Sequence, residues 1–582
     1  MMKRREVLKT GVAAAGTVYG LTFFKGTGAG ATTFVPTDGL VPPDGLLPSI
    51  IARPSPPSTP FVAPLNVMPI AQKIDPGTLN PPPDPARHQR YTEFTPAAFY
   101  AQEIGEFLHV YHPEAPYNRG SWSYGFNGMT PGETFQCYYG EPHFVRRFNV
   151  LPPVGQGKVR WALPSISIHT HNMHTASESD GFPDDFFDPG EFWDHHFCNF
   201  PAGMDPLQRM NSLWYHDHRL DFTAPNVYAG LTGFHMLFDD QDTNDERDPS
   251  PKAWRLPSGK YDVPLILHDV QFDANGQVLF DFYGPPFDTN NPMGEFATIF
   301  GMLGDKLTVN RIIQPYFQVE ARKYRFRILN GGPSRFYDLY LKGPSGGSAG
   351  ERFITLTSDG NFHRTPIIAD SIQLGVAERQ DVIVDFSNYQ PGDQIILYNR
   401  MEMIPTGEGP SGRQLDPGIP VMRFDVVAAM GDDPSQIPDF LRERPEIDLS
   451  QVKRTRVFEF DYNGGLWTIN GKLMDPNRID AGIEQGSAEI WILRNKGNMW
   501  SHPIHTHFEE FQILEINGKP VPEHSPLKTR KDVAVLHPNM EIKFYGHWRD
   551  FLGKYVMHCH NVVHEDHAMM IRWDIVPPGQ GF

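Results

Sequence analysis

Short runs in which apolar and polar positions alternate dominate the chain, and Gly, Pro, Asn and Asp break them at close intervals. Val382, Val384 and Phe386 alternate with Ile383 and Asp385, the period of a strand. The stretches Ile367 to Leu374 and Gln394 to Tyr398 read the same way. Long amphipathic helical patterns are scarce. Many short strands with turn signals between them predict an all-β sandwich or barrel architecture, with only short helices. Residues 33 to 86 differ, being dense in Pro: Pro36, Pro42, Pro43, Pro54, Pro56, Pro57, Pro81, Pro82, Pro83 and Pro85. Such a segment cannot form a helix or a central strand. It is expected to lie extended over the surface as an arm spanning 32–86.

Length divides this pattern further. A chain of 582 residues is enough for three or four domains of ordinary size. The acidic, turn-rich stretch Asp239 to Pro251 and the Asp/Pro-rich residues 430 to 452 read as linkers. They separate expected domains at 87–250, 255–430 and 453–582. The second opens with the apolar run Val263 to Leu267.

Charge and the termini narrow the partners. Lys and Arg total 51 against 69 Asp and Glu, a net charge of -18, which argues against nucleic acid or an anionic membrane surface. Lys3-Arg4-Arg5 followed by a moderately apolar run from Gly11 to Phe24 reads as a twin-arginine export signal over 1–31. Ala29-Gly30-Ala31 offers a cleavage site. The apolar run is too short and too rich in Gly and Ala for a membrane span, so no stable membrane anchor is expected. The destination is periplasmic or extracellular, reached through the twin-arginine export machinery. Of the three cysteines, Cys137 and Cys198 are left as an even pair in an exported protein: either a disulfide or two buried thiols.

The chemistry lies in the histidines. The stretch His558-Cys559-His560-Asn561-Val562-Val563-His564-Glu565-Asp566-His567-Ala568-Met569 interleaves sulfur ligands with imidazoles. Cys, two His and a distant Met form the ligand set of a blue-copper electron-transfer site. In a strand, residues i and i+2 share a face and i+1 takes the other. His558 and His560 then face one way and Cys559 the opposite way. Three further pairs repeat the spacing: His169/His171, His216/His218 and His505/His507. The four pairs supply eight imidazoles to a shared cluster. Cys559, His502, His564 and Met569 remain for a single copper. A lone His is more often a satisfied core or surface residue, so His88, His109, His235, His268, His363 and His537 carry no assignment. His174 and His567 lie beside motifs but are read as non-ligands, and the pair His195-His196 reads as structural.

The motifs HTH, WYHDH, HPIHTH and HCHNVVHEDHAMM together resemble those of the multicopper oxidases, in the family's order and spacing. Within it the chain is most like spore-coat-type laccases and bilirubin oxidases, over most of residues 80 to 580. The resemblance implies three cupredoxin-like Greek-key β-barrel domains. It implies four copper ions. The type 1 copper falls to His502, Cys559, His564 and axial Met569, and the type 2 copper to His169 and His505. His171, His216, His218, His507, His558 and His560 would hold the type 3 pair. The cluster then lies between the first and third domains. Asn172 stands where the family usually has Gly after the first pair, which puts the local loop shape in question. Arg325 to Asn330 resembles a family strand and reads as structural.

The implied activity couples four one-electron oxidations of a phenol or aromatic amine to the reduction of O2 to water. Glu565 and Asp180 match the family's proton-relay positions; the plainer alternatives are a hydrogen-bond acceptor beside the ligands for Glu565 and a turn residue for Asp180. The copper set does not fix the donor. A bilirubin oxidase and an oxidase of Cu(I) or Mn(II) use the same ligands, although Met401 and Met403 are only a small methionine cluster. A non-catalytic copper-binding envelope scaffold is the reading from another class, and the intact ligand set argues against it.

Overall fold

A computed structural model describes residues 54–280, 300–344, 352–405 and 407–582. The expected signal over 1–31 and the start of the arm lie outside these residues. The described chain forms six sheets that pack as three pairs. In the first pair, the sheet carrying Ala98–His109, Ser121–Phe126, His143–Asn149 and Phe192–Phe197 faces the sheet carrying Gly132–Tyr138, Ile168–His171, Ser212–Asp217 and Thr232–Phe238. Ile104, Phe126, Phe135, Leu213 and Tyr215 fill the space between them. The second pair has a seven-stranded and a five-stranded sheet around Leu265, Phe326, Val382 and Phe424. The third pair repeats those strand numbers around Phe460, Trp491, Ile504 and Trp573. Helices are short: Ser177–Asp180, Thr223–Ala229 and Val562–Asp566. None among the described residues is long and apolar enough to cross a membrane.

The alternating run at Asp381–Phe386 falls in the strand Arg379–Asp385 except for Phe386, which opens a single turn, and both faces of the strand are buried. Val382 and Val384 line the inner core, while Ile383 packs with Trp254, Leu256 and Phe362 on the other face. The run Ile367 to Leu374 is two strands, Asn361–Ala369 and Ile372–Leu374, parted at Asp370 and Ser371. From residue 54 the Pro-rich segment holds two single turns, Pro76–Thr78 and Pro85–Arg87, opened by the side chains of Asp75 and Asp84. It stitches the first two sheet pairs together: Phe61 N–H donates to Gln314 O at 2.8 Å, and Ala71 N–H to Thr134 O at 2.9 Å. Leu65 and Ala71 turn into the two cores.

Buried arginines tie the second sheet pair to the first. On the strand Lys323–Asn330, Arg325 pairs with Asp381 at 2.7 Å and Arg327 with Asp262 at 2.6 Å inside their own sheet. Arg325 also reaches Asp242, which follows Thr232–Phe238, at 2.8 Å, and Arg327 donates to Ser212 Oγ of the first pair at 3.0 Å. The strand that reads as structural is thus an anchoring strand. Cys137 and Cys198 are both free and buried, so no disulfide joins them.

Candidate metal centre

Strand pairing brings the His-x-His motifs together. His169 lies opposite His216 and His171 opposite Trp214 in the ladder between Ile168–His171 and Ser212–Asp217. In the third pair, His505 lies opposite His558 and Ile504 opposite Cys559. Residues 503, 505 and 507 therefore share one face with His558, while His502 and Ile504 share the other with Cys559. The two edges meet: His218 Nε2 is 3.1 Å from both His507 Nε2 and His558 Nε2, and those two are 3.3 Å apart. The rings of His171 and His505 stack at 3.6 Å, and those of His169 and His507 at 3.8 Å. His560 sits 5.2 Å from the His171 ring and 5.3 Å from His216. All eight imidazoles are buried.

On the opposite face, Cys559 Sγ is 3.5 Å from His502 Nδ1 and 3.5 Å from His564 Nδ1, which are 3.1 Å apart. Met569 is buried in the same core and its carbonyl accepts the Cys559 N–H at 3.1 Å. His564 Nε2 faces the carbonyl of Phe300 at 2.7 Å, and Trp467 stacks on its ring at 3.8 Å. Half-buried Trp500 and Tyr462 pack beyond Trp467, at 5.2 and 4.6 Å.

These groups suit metal ions. His169 Nε2, His216 Nε2, His505 Nε2 and both nitrogens of His560 have no hydrogen-bond partner although buried. Leaving a buried polar atom unpaired costs about 1–3 kcal/mol. Nitrogens about 2.0 Å from a shared ion would lie about 3.3–3.5 Å apart, close to the His218–His507–His558 triangle. Burial and neighbouring imidazoles hold His169, His171, His505, His507 and His560 well below the ordinary imidazole range. Burial lowers His216, His218 and His502 to about 3. Neutral rings keep a lone pair for a metal.

Carboxylates support the rings from behind. Glu565 stands 3.0 Å from His558 Nδ1 and 3.3 Å from His218 Nδ1. Asp180 accepts from His507 Nδ1 at 2.8 Å, and its backbone carbonyl accepts from His169 Nδ1 at 2.5 Å. Burial raises the Asp180 carboxyl well above the usual range. Asp180 is thus more than a turn residue, though it does precede the left-handed Gly181. Asp566 receives the N–H groups of Thr223 and Ala224 at 2.9 and 3.0 Å, locking the helix that carries Glu565 to the first sheet pair.

Asp532 and Arg379 carried no signal in the sequence. Asp532 faces His171 Nε2 at 3.0 Å with its carboxylate and His505 Nδ1 at 3.0 Å with its carbonyl. Arg379, from the second sheet pair, holds the same carboxylate through two bonds of 2.8 and 2.6 Å. Asn172 lies at φ 70°, where Gly is the default and Asn the best-tolerated alternative. There the Asn172 side chain donates to Glu510 at 2.5 Å. His174 is held by Asp550 at 3.0 Å and His567 by the Val563 carbonyl at 2.6 Å, away from both ligand groups.

The sequence profile described as "Multicopper oxidase" matches residues 446–579. A bilirubin oxidase of Albifimbria verrucaria is 32% identical over 550 residues, covering 92% of this chain and 88% of its own. The chain belongs to the multicopper oxidase family. A laccase of Bacillus subtilis is 29% identical, covering 82% of this multicopper oxidase and 94% of its own chain. A crystal structure of a laccase from Pediococcus acidilactici shares the fold, with a TM-score of 0.68 at 22% identity, over 90% of this chain and 95% of that one. The protein is thus a copper-dependent oxidoreductase that uses O2, built from cupredoxin-like barrels.

Proposed function

We propose that the chain is a laccase-like oxidase that takes electrons singly from phenols or aromatic amines and delivers four of them to O2, forming two waters. Four copper ions serve it in the pattern that the motifs imply. His502, Cys559, His564 and axial Met569 hold one; His169 and His505 hold a second; His171, His216, His218, His507, His558 and His560 hold a pair. One observation carries the reading. Cys559 turns its sulfur to His502 and His564, while His558, one residue away, places Nε2 within 3.1 Å of His218. A single peptide step links electron entry to the imidazole cluster. Bound copper supplies the one-electron redox change and the binding of O2.

The chain's own groups do the rest. Asp180 fixes the tautomer of His507 by accepting at Nδ1, which aims Nε2 at the cluster. The Glu565 carboxylate stands 3.0 and 3.3 Å from Nδ1 of His558 and His218, where its charge favours a proton. Both carboxylates are buried beside the cluster and are the groups placed to pass protons to reduced oxygen. The Phe300 carbonyl and the Trp467 ring close His564 off from direct contact with a donor. The aromatic wall of Trp467, Trp500 and Tyr462 favours a planar aromatic donor stacked outside it.

Oxygen uptake by the copper-loaded protein, compared among a substituted phenol, bilirubin and Mn(II), tests the reading. The phenol is expected to give the highest kcat/KM. Faster turnover of bilirubin would move the chain to the activity named for its 32% identical relative, and preference for Mn(II) would make it a metal oxidase. No uptake with any donor would leave a copper-binding scaffold.

Residues 1–31 act, in the same reading, as a twin-arginine signal that exports the folded chain to the periplasm or beyond. Replacing Arg4 and Arg5 with Lys is expected to retain the protein in the cytoplasm.

A further inference from the structure

A second group of one cysteine and two histidines lies inside the first sheet pair. Cys137 is on the strand Gly132–Tyr138, His235 on the adjacent strand Thr232–Phe238, and His143 opens a strand of the facing sheet. One ligand atom from each lies within 4.8 Å of the others. The group is separate from the imidazole cluster. His235 is paired with Leu213, which together with Tyr215 points into the first core. Trp214 and His216 occupy the alternate positions and point out of it.

His235 is fully buried, and neither ring nitrogen has a hydrogen-bond partner. Its ring stacks on Phe135 at 5.2 Å and lies 5.2 Å from His143. An imidazole with two orphaned nitrogens needs a compensating group. Cys137 Sγ is 3.8 Å from His143 Nε2. A three-coordinate ion about 2.0 Å from nitrogen and about 2.3 Å from sulfur separates those atoms by about 3.7 Å. Asn199 Nδ2 donates to Glu141 O at 2.7 Å and stands 2.9 Å from His143 Nδ1, so His143 turns Nε2, not Nδ1, toward Cys137.

We propose that Cys137, His143 and His235 form a buried three-coordinate site for a single monovalent copper ion. Thiolate selects soft metals. Charge selects among them: Arg147 is fully buried in the same core, with Nη1 and Nη2 unpaired. Monovalent copper on a thiolate adds no net charge beside that guanidinium, whereas zinc would add one. Binding releases the Cys137 proton and changes no oxidation state. With three protein donors, all buried, the ion is structural, colourless and silent in electron paramagnetic resonance.

The test uses air-oxidised, copper-loaded holoenzyme. X-ray absorption at the copper edge is expected to show about one-fifth of the copper as monovalent, with a sulfur ligand; this fraction rests on the four-copper reading above. An edge that is wholly divalent overturns the proposal. Metal analysis of Cys137→Ala and His235→Phe is expected to show one copper fewer per chain than the parent, with the blue absorption retained. That difference holds whatever the parent's total, so it separates this site from failure of the four-copper reading. Unchanged copper in both variants, or zinc lost in place of copper, overturns it. The edge measurement needs no variant and stands if these chains fail to fold.

Discussion

Two groups of one cysteine and two histidines lie in this molecule, and they differ in what surrounds them. Cys559 lies between two histidines that reach the imidazole cluster, in a strand paired with His502–Thr506. Cys137 lies between Gln136 and Tyr138, and its sulfur meets ligands that lead nowhere else. His564 borders an aromatic wall with half-buried rings, whereas His235 is enclosed by its own core. The same donor atoms thus make a conduit in one place and a closed pocket in the other. Connectivity, not ligand identity, separates an electron port from a structural site.

The sharpest way to break this contrast is Cys559→Ser. The blue absorption is expected to vanish and O2 uptake to fall on the order of 10³-fold, measured with a saturating phenol. Residual turnover near the parent rate would mean that electrons enter elsewhere. Arg379→Gln probes the support behind the cluster with a smaller effect. It leaves Asp532 buried without its cation and should lower stability by about 3–5 kcal/mol in denaturant titrations. O2 uptake is expected to drop about 10–100-fold with an altered type 2 copper signal, while the blue absorption persists. If the blue absorption fell in step, Arg379 would be a general structural prop. Cys137→Ala should change O2 uptake least, staying within about twofold of the parent because its ligands touch no group of the redox path. A tenfold loss would join the two regions that the comparison separates.

The His-x-His pairs were legible because a strand's period of two puts both rings on one face. The ladders His169–His216 and His505–His558 place them side by side as that period requires. Cys559 on the opposite face follows from the same geometry. Asp532 and Arg379 were not legible, because they act across sheet pairs far apart in sequence and neither belongs to a spaced motif. His235 was passed over as an ordinary core histidine; only its unpaired nitrogens, a property of packing, set it apart. Asn172 looked like a departure, yet its left-handed backbone shows a substitution that the loop tolerates. The Pro-rich segment carried no sign that Leu65 and Ala71 would enter two different cores.

The His171–Asp532–Arg379 contact takes one residue from each of the three sheet pairs. A protein engineer shortening this chain to a two-barrel enzyme would keep every copper ligand and still remove the cation that steadies Asp532. Such a miniature must place a new guanidinium opposite that carboxylate, or replace Asp532 with a neutral group that still accepts from His171.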